Sequence, residues 1–420
     1  MKITGIICEY NPFHNGHLYH IKKTRENGAT HIIAVMSGNF VQRGDIAVLD
    51  KFQRAQLAVQ CGADLVIEIP CAYSLSSAEF YARGAVYMLD SLGCIDELSF
   101  GSEAGSVEEL EKAAEIAFDC QQSPDMEELL KSGMSYPNAV CDMVYKKYGS
   151  KLGLRINDLL SSPNNVLSVE YLKAIHYFGS SIKPFTVPRK SAMHDSMTPN
   201  GEIASATFIR KCITERNDFY GLVPERVYRS FERAEKKGCL PDMKNLERLI
   251  IYKLRTSSAQ ELSELPDVGQ GLEHRIIECA PLCSLDDILK NIKTKRYTMA
   301  RIRRILLNML IGIRKSDLSI LPPYIRILAS NERGRDIMSQ AKKTSKLPVA
   351  ASLAKLSRFD CDAERFAFIE GMASDIYALS QQKIGKGQSD YKNMFSISET
   401  QSEDIRKAEE AEELDEFFGE

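Results

Sequence analysis

Apolar residues in the first hundred positions follow two alternating rhythms. Continuous β-rich runs occur as ITGIIC (3–8), HIIAVM (31–36), DLVIEIP (64–70) and DELSF (96–100). Between them lie GHLYHIKKTREN, DKFQRAQLAVQCG and SSAEFYARGAVYMLDSLG, whose apolar residues recur at i, i+3 and i+4. Strand-like runs alternating with helical periods predict an α/β fold, a Rossmann-like parallel sheet with helices on both faces. Such sheets bind ligands at the carboxyl ends of their strands. Both EYNPFHNGH (9–17) and FGSE (100–103) fall at such ends.

From about 107 to 180 the pattern is mostly helical, interrupted by SYP and SSPNN, and a fifth strand, KPFTVP, follows at 183–188. Beyond about residue 220 the alternation is lost and helices joined by short polar loops remain. The Gly- and Pro-bearing RNDFYGLVP (216–224) marks a boundary. The expected organisation is a catalytic α/β domain over 1–218, a mainly α-helical C-terminal domain over 219–402 and an acidic tail over 403–420. Two or three domains suit a chain of 420 residues.

A composition of 44% hydrophobic and 26% charged residues is that of a globular protein. No apolar run approaches the roughly 20 residues of a membrane span. The N-terminus meets Pro12 and His14 before a signal-peptide core could form. A cytoplasmic location without membrane association is therefore expected. Eleven scattered cysteines with no CxxC pair suit reduced thiols rather than a disulfide framework or zinc ribbon. Residues 403–420 hold nine acids against Arg406 and Lys407, so the formal total of −3 hides a mildly basic body.

Three of the seven histidines, His14, His17 and His20, fall within seven residues. A metal site fits them poorly. At about 100° per residue, His14 and His20 would point about 120° apart on one helix, and no Cys or carboxylate nearby has zinc-motif spacing. Pro12 and Asn15-Gly16 place His14 in the loop and His17 in the first helical turn. An ordinary helix start accounts for one or two of these histidines. A phosphate-handling loop accounts for more: Gly16 leaves backbone room, the helix start supplies free N–H groups and partial positive charge, and two imidazoles can donate to phosphoryl oxygens.

HNGH at 14–17, after the first strand, resembles the HxGH signature of the nucleotidyltransferase superfamily, which shares its fold with class I aminoacyl-tRNA synthetases. Ile203-Ala-Ser-Ala-Thr-Phe-Ile-Arg210 resembles that superfamily's ISSTxxR signature, with Ala206 at the second small position. Adding VMSGNFVQRGDIAVLDKFQRAQLAVQCGADLVIEIP, FGSE and SSPNNVLSVEYLKAI, the first 210 residues or so resemble one bacterial family, the tRNA(Met) cytidine acetate ligases.

That resemblance implies an enzyme that activates acetate with ATP as acetyl-AMP, releasing pyrophosphate. The acetyl group then passes to the N4 amine of the wobble cytidine of elongator tRNA(Met). It implies catalytic roles for His14 and His17. The ATP site would comprise Ile7, Cys8, Glu9, Tyr10, Asn11, Pro12, Phe13, His14, Asn15, Gly16, His17, Leu18, Tyr19 and His20, with Gly101, Asn164, Arg189 and Lys190. Ser205, Thr207 and Arg210 are phosphate candidates, unless SATFIR is merely a helix cap. Mg²⁺ is expected with the phosphates, without a dedicated protein metal site, and no obligate protein partner is expected.

SGNFVQRGD, with Asn39, Gln42 and Arg43, is a secondary candidate wall for a small carboxylate or the acyl-adenylate, unless it is a structural loop. Residues 290–315 contain nine Lys or Arg and no acid. Their apolar positions from Ile302 to Ile313 make one helix face. Lys293, Lys295, Arg296, Arg301 and Arg304 are candidate tRNA contacts, with Arg301, Arg304, Asn308 and Lys315 expected off the apolar face and Tyr297 positioned to stack on a base. A solvated face is the plainer alternative. Competing functions are a small-molecule adenylyltransferase of the same superfamily and a non-catalytic RNA-binding protein.

Overall fold

The computed structural model describes residues 1–131, 134, 136–189, 203–269, 271–294, 296–392 and 396–397. Lys190, Lys295 and the acidic tail lie outside them. Five strands follow the β-rich runs: β1 (Ile3–Cys8), β2 (His31–Ser37), β3 (Leu65–Ile69), β4 (Glu97–Ser102) and β5 (Lys183–Pro188). They lie side by side in the order β3-β2-β1-β4-β5, all parallel. Because β1 sits between β2 and β4, the winding reverses there, and a crevice opens beyond its carboxyl end.

The second half is mainly helical but also extends the sheet. Strand β6 (Ile325–Ser330) pairs antiparallel with β3, and the short strands β7 (Val349–Ala350) and β8 (Ser396–Ile397) pair parallel with β6. Among the described residues the finished sheet has eight strands. One apolar cluster runs from Ile3 and Val35 through Leu246 and Ile305 to Phe366 and Tyr377, so the two halves share a core.

Seven helices frame or support the crevice: α1 (Asn15–Glu26), α2 (Lys51–Gln60), α3 (Ala78–Leu92), α4 (Pro163–Phe178), α5 (Ala206–Glu215), α6 (Met299–Ile311) and α7 (Cys361–Ser380). Asp50 caps α2 by accepting from Phe52 and Gln53 N–H. Among the described residues, no helix is long and apolar enough to cross a membrane. The eleven cysteines carry free thiols, with Cys8, Cys61 and Cys71 buried and Cys94 half-buried.

A buried ionic cluster joins the halves. Lys51 Nζ lies 2.5 Å from Glu68 and 2.7 Å from Asp390, while Arg326 lies 3.1 Å from Glu68 and 2.6 Å from Asp390. Glu370, on α7, accepts from Cys71 N–H at 2.5 Å and lies 3.7 Å from Lys51. Burial, reinforced by the Glu68 charge, raises the Glu370 carboxyl well above the usual range. A neutral Glu370 leaves two cations facing two carboxylates, a balance that a dry interior requires.

Candidate active site

The loop from β1 into α1 is held from beneath by Arg54. Its guanidinium is buried and donates to the carbonyls of Leu49, Glu9, Ser37 and Gly38, tying the ends of β1 and β2 to α2. Tyr10 takes a positive φ of 45°, which turns the chain sharply after β1. Asn11 Oδ1 accepts from Val48 N–H at 2.8 Å, and the Asn11 carbonyl accepts from Arg210 at 2.8 Å.

His14 is the N-cap of α1. Its Nδ1 accepts from Gly16 N–H at 3.1 Å, and His17 Nδ1 accepts from His14 N–H at 3.3 Å, a reciprocal capping box. A neutral imidazole that accepts at Nδ1 carries its proton on Nε2. Both rings are therefore fixed as Nε2–H donors, stacked with centroids 3.8 Å apart. A Cβ on Gly16 would sit 2.9 Å from His14 Cε1, so only glycine leaves room for the ring. Burial lowers His14 to about 3, with repulsion from Arg189 and Arg210 adding to it. His17 is pushed well below its ordinary value by burial and then by His14.

His20 is used differently. Thr24 Oγ1 donates to the His20 carbonyl at 2.9 Å and lies 2.7 Å from Ser99 Oγ, which lies 2.9 Å from His20 Nε2. The Thr24 proton is committed, so Ser99 donates to Thr24 and accepts from His20 Nε2–H. His20 thus joins α1 to β4, and burial and Arg189 lower its pKa to about 4.

A cavity of about 460 Å³ opens at the crevice beyond β1. It gathers Ile7, Cys8, Glu9, Tyr10, Asn11, His14, Gly16, His17, Tyr19 and His20 with Gly101, Asn164, Arg189, Ser205, Thr207 and Arg210. Pro12, Phe13, Asn15 and Leu18 of the expected ATP loop do not line it. Phe13 packs behind His17 at 5.6 Å, Asn15 donates to Gly221 O, and Leu18 faces solvent. FGSE and SPNN are laced together: Asn165 Oδ1 accepts from Glu103 and Ala104 N–H, and Glu103 accepts from Asn164 Nδ2 and Asn165 N–H. A Cβ on Gly101 would make only ordinary contact with Arg189 at 3.6 Å, so the protein itself does not demand glycine there. Ser205 does cap α5, accepting from Phe208 N–H at 3.1 Å, and also lines the cavity. Arg210 reaches Thr207 Oγ1 at 3.2 Å.

Several expectations are corrected by the structure. Asn39 is buried away from the cavity, donating to Ser374 Oγ and accepting from Lys51 N–H. Gln42 and Arg43 do line it, and Gln42 N–H donates to Glu9 Oε1 at 3.0 Å. Arg304 is not a surface cation: it is buried, pairs with Asp267 at 2.7 Å and donates to Gln42 O at 3.3 Å. Arg301 donates twice to Asp267 O, at 2.9 and 2.7 Å. Asn308 is buried and donates to Leu75 O, and Tyr297 is buried beneath Arg296 and Arg301, which leaves it no face for a base. Periodicity missed these because the polar side of α6 is covered by the loop at 42–44. A Cβ on Gly44 would lie 2.6 Å from Arg304 N.

Lys293 is exposed and Arg296 half-buried. Arg303, exposed beside Gly44, was not among the expected contacts. Ala78, Tyr81, Phe100 and Tyr171 also line the cavity and were missed, since apolar and aromatic positions in predicted helices and strands read as core.

The family model described as HIGH Nucleotidyl Transferase matches residues 1–392. The tRNA(Met) cytidine acetate ligase of Caldanaerobacter subterraneus subsp. tengcongensis is 39% identical over 402 residues, covering 93% of this chain and 98% of that protein. The tRNA(Met) cytidine acetate ligase of Thermoanaerobacter sp. is 40% identical over 395 residues, covering 90% and 96%. Crystal structures of Thermotoga maritima TmcAL superpose with TM-scores of 0.88 for the apo form and 0.86 for the form bound to alpha-thio ATP. Both are 31% identical and cover 95% of this chain and all of that one. The family match, the common fold and the near-complete coverage place the chain in the HIGH nucleotidyl transferase family, among the tRNA(Met) cytidine acetate ligases.

Proposed function

We infer that the protein uses ATP to activate acetate as acetyl-AMP and transfers the acetyl group to the N4 amine of the wobble cytidine of elongator tRNA(Met). The observation that carries this reading is the pair of neutral, stacked Nε2–H donors at the crevice beside β1. A carboxylate oxygen attacks the α-phosphorus, the bond to the bridging oxygen breaks, and pyrophosphate leaves with the electron pair. His14 and His17 meet the charge that builds on the phosphoryl oxygens. The amine then attacks the acetyl carbonyl, AMP leaves, and the amine loses a proton. No protein nucleophile is needed, and holding both reactants in register supplies much of the acceleration.

The starts of α1 and α5 both open onto the cavity, which favours bound phosphate. Gly101, Asn164 and Arg189 form the nucleoside side, and Ser205, Thr207 and Arg210 the pyrophosphate side. Mg²⁺ travels with the phosphates in this reading; among the described residues no group of three or more His, Cys, Asp or Glu is assembled for a metal. The tRNA approaches over Lys293, Arg296 and Arg303, beside the loop that carries Arg43. The cytoplasm, where tRNA is modified, is the compartment this activity implies.

ATP–pyrophosphate exchange with and without acetate, followed by mass spectrometry of the tRNA nucleosides, tests the whole sequence. Acetate-dependent exchange together with N4-acetylcytidine is expected. Exchange absent in the presence of both acetate and tRNA(Met) would overturn the reading.

A further inference from the structure

We propose that acetate binds in the recess between the first turn of α3 and the side of α4, with its carboxylate held by the Tyr171 hydroxyl and the α3 N–H groups, and with Tyr81 and Phe100 limiting its length. The proposal rests on acetate activation as the protein's function and assigns that reaction's carboxylate subsite.

Tyr171, on α4, is 5% exposed and lines the cavity. Its hydroxyl has no hydrogen-bond partner among the described residues. The hydroxyls of Tyr324 and Tyr377 also lack partners but are sealed in the interior, on residues that do not line the cavity. A polar atom without a partner, on a buried side chain that lines a cavity, is a donor awaiting a ligand. Burial, with Cys8 and Glu9 nearby, raises the phenol's pKa, so it stays protonated and able to donate to a carboxylate.

The second observation is the start of α3. Ser77 occupies its N-cap without any side-chain hydrogen bond to the first turn, and Ala78 lines the cavity. The 15-residue helix therefore presents uncapped N–H groups and a positive dipole end to the same recess. The one acid in that turn, Glu79, accepts from Gln121 Nε2 at 3.0 Å. Arg43 lines the cavity too and adds positive charge.

The walls set the size. Phe100 meets Tyr171 with ring centroids 5.9 Å apart, and Tyr81 is fixed by donating to Cys8 O at 3.3 Å. Rigid rings on both sides suit a methyl group better than a longer chain. In the reaction, one acetate oxygen stays on Tyr171 and the α3 N–H groups while the other bonds to the α-phosphorus. Tyr171 keeps its proton throughout.

The test measures carboxylate-dependent ATP–pyrophosphate exchange in the wild type, Tyr171→Phe and Phe100→Ala, with acetate and propionate. Removing a hydrogen bond to a charged group should raise the acetate KM of Tyr171→Phe about tenfold, with the ATP KM unchanged. Phe100→Ala should raise the propionate-to-acetate preference about tenfold. An unchanged acetate KM in Tyr171→Phe, or acetate and ATP KM rising together, overturns the subsite while leaving the function intact. A wild type without exchange under any condition overturns the subsite together with the function.

Discussion

His14 and His17 stack face to face at 3.8 Å, and each gives its Nδ1 to a backbone N–H of the same helix turn. Helix capping and proton placement are thus one arrangement: the bonds that start α1 also fix which nitrogen donates into the cavity. Asn is a good N-cap but has no imidazole Nε2. His14→Asn should therefore keep the fold and ATP binding while adenylation falls about 10²- to 10³-fold. His17→Ala should show a similar loss. Exchange rates set beside ATP affinity would check both, and a rate within fivefold of wild type would refute the assignment.

Acid should weaken the fold before it reaches ordinary carboxylate pKa values. His14 titrates at about 3 in the folded chain and at about 6.5 when unfolded. Between those values the unfolded state takes up the proton and the folded state does not. Stability is complete above about pH 6.5 and declines as pH falls toward 3. From pH 7.5 to 5.5, His14 alone should cost about 1.4 kcal/mol. Urea unfolding at the two pH values should show a correspondingly smaller loss in His14→Asn.

Neighbouring arginines on α6 should give opposite phenotypes. Arg304→Ala strands Asp267 and should lower stability by about 2 kcal/mol, through which activity suffers. Arg303→Ala should leave stability within about 0.5 kcal/mol. It should weaken tRNA binding and reduce the salt dependence by about one counterion. Thermal unfolding and tRNA affinity at two salt concentrations separate them.

In the ionic cluster, removing a cation and removing the raised carboxyl should differ. Arg326→Leu leaves Glu68 and Asp390 short of a partner and should cost about 3–5 kcal/mol. Glu370→Gln replaces a group already held neutral and should stay within about 1 kcal/mol. Chemical denaturation of both variants decides it; equal losses would mean that Glu370 is ionised.

The five parallel strands and the position of the HNGH loop were legible because continuous β-rich runs and the Pro12 and Gly16 signals are local. His14 as a loop residue and His17 in the first turn follow from the same local chemistry. Strand β6 was hidden because Ile325–Ser330 lies among helical periods and carries Arg326, whose reason for burial is Glu68, far away in sequence. The α6 arginines were misplaced for a related reason. One helix's period reveals its apolar face but cannot show that a distant Gly44 loop covers the polar one.

The pairing of β6 with β3 has a consequence for how the protein is made. About 255 residues separate the two strands, so the edge of β3 stands open while most of the chain is still on the ribosome. At bacterial to eukaryotic elongation rates that interval lasts roughly 13 to 50 seconds. Lys51 and Glu68 are synthesised before that interval begins, whereas Arg326 arrives as it ends and Asp390 later still. The nascent N-terminal sheet therefore carries the Lys51–Glu68 pair without Arg326 and Asp390 during translation, and its edge closes only when the late strand docks.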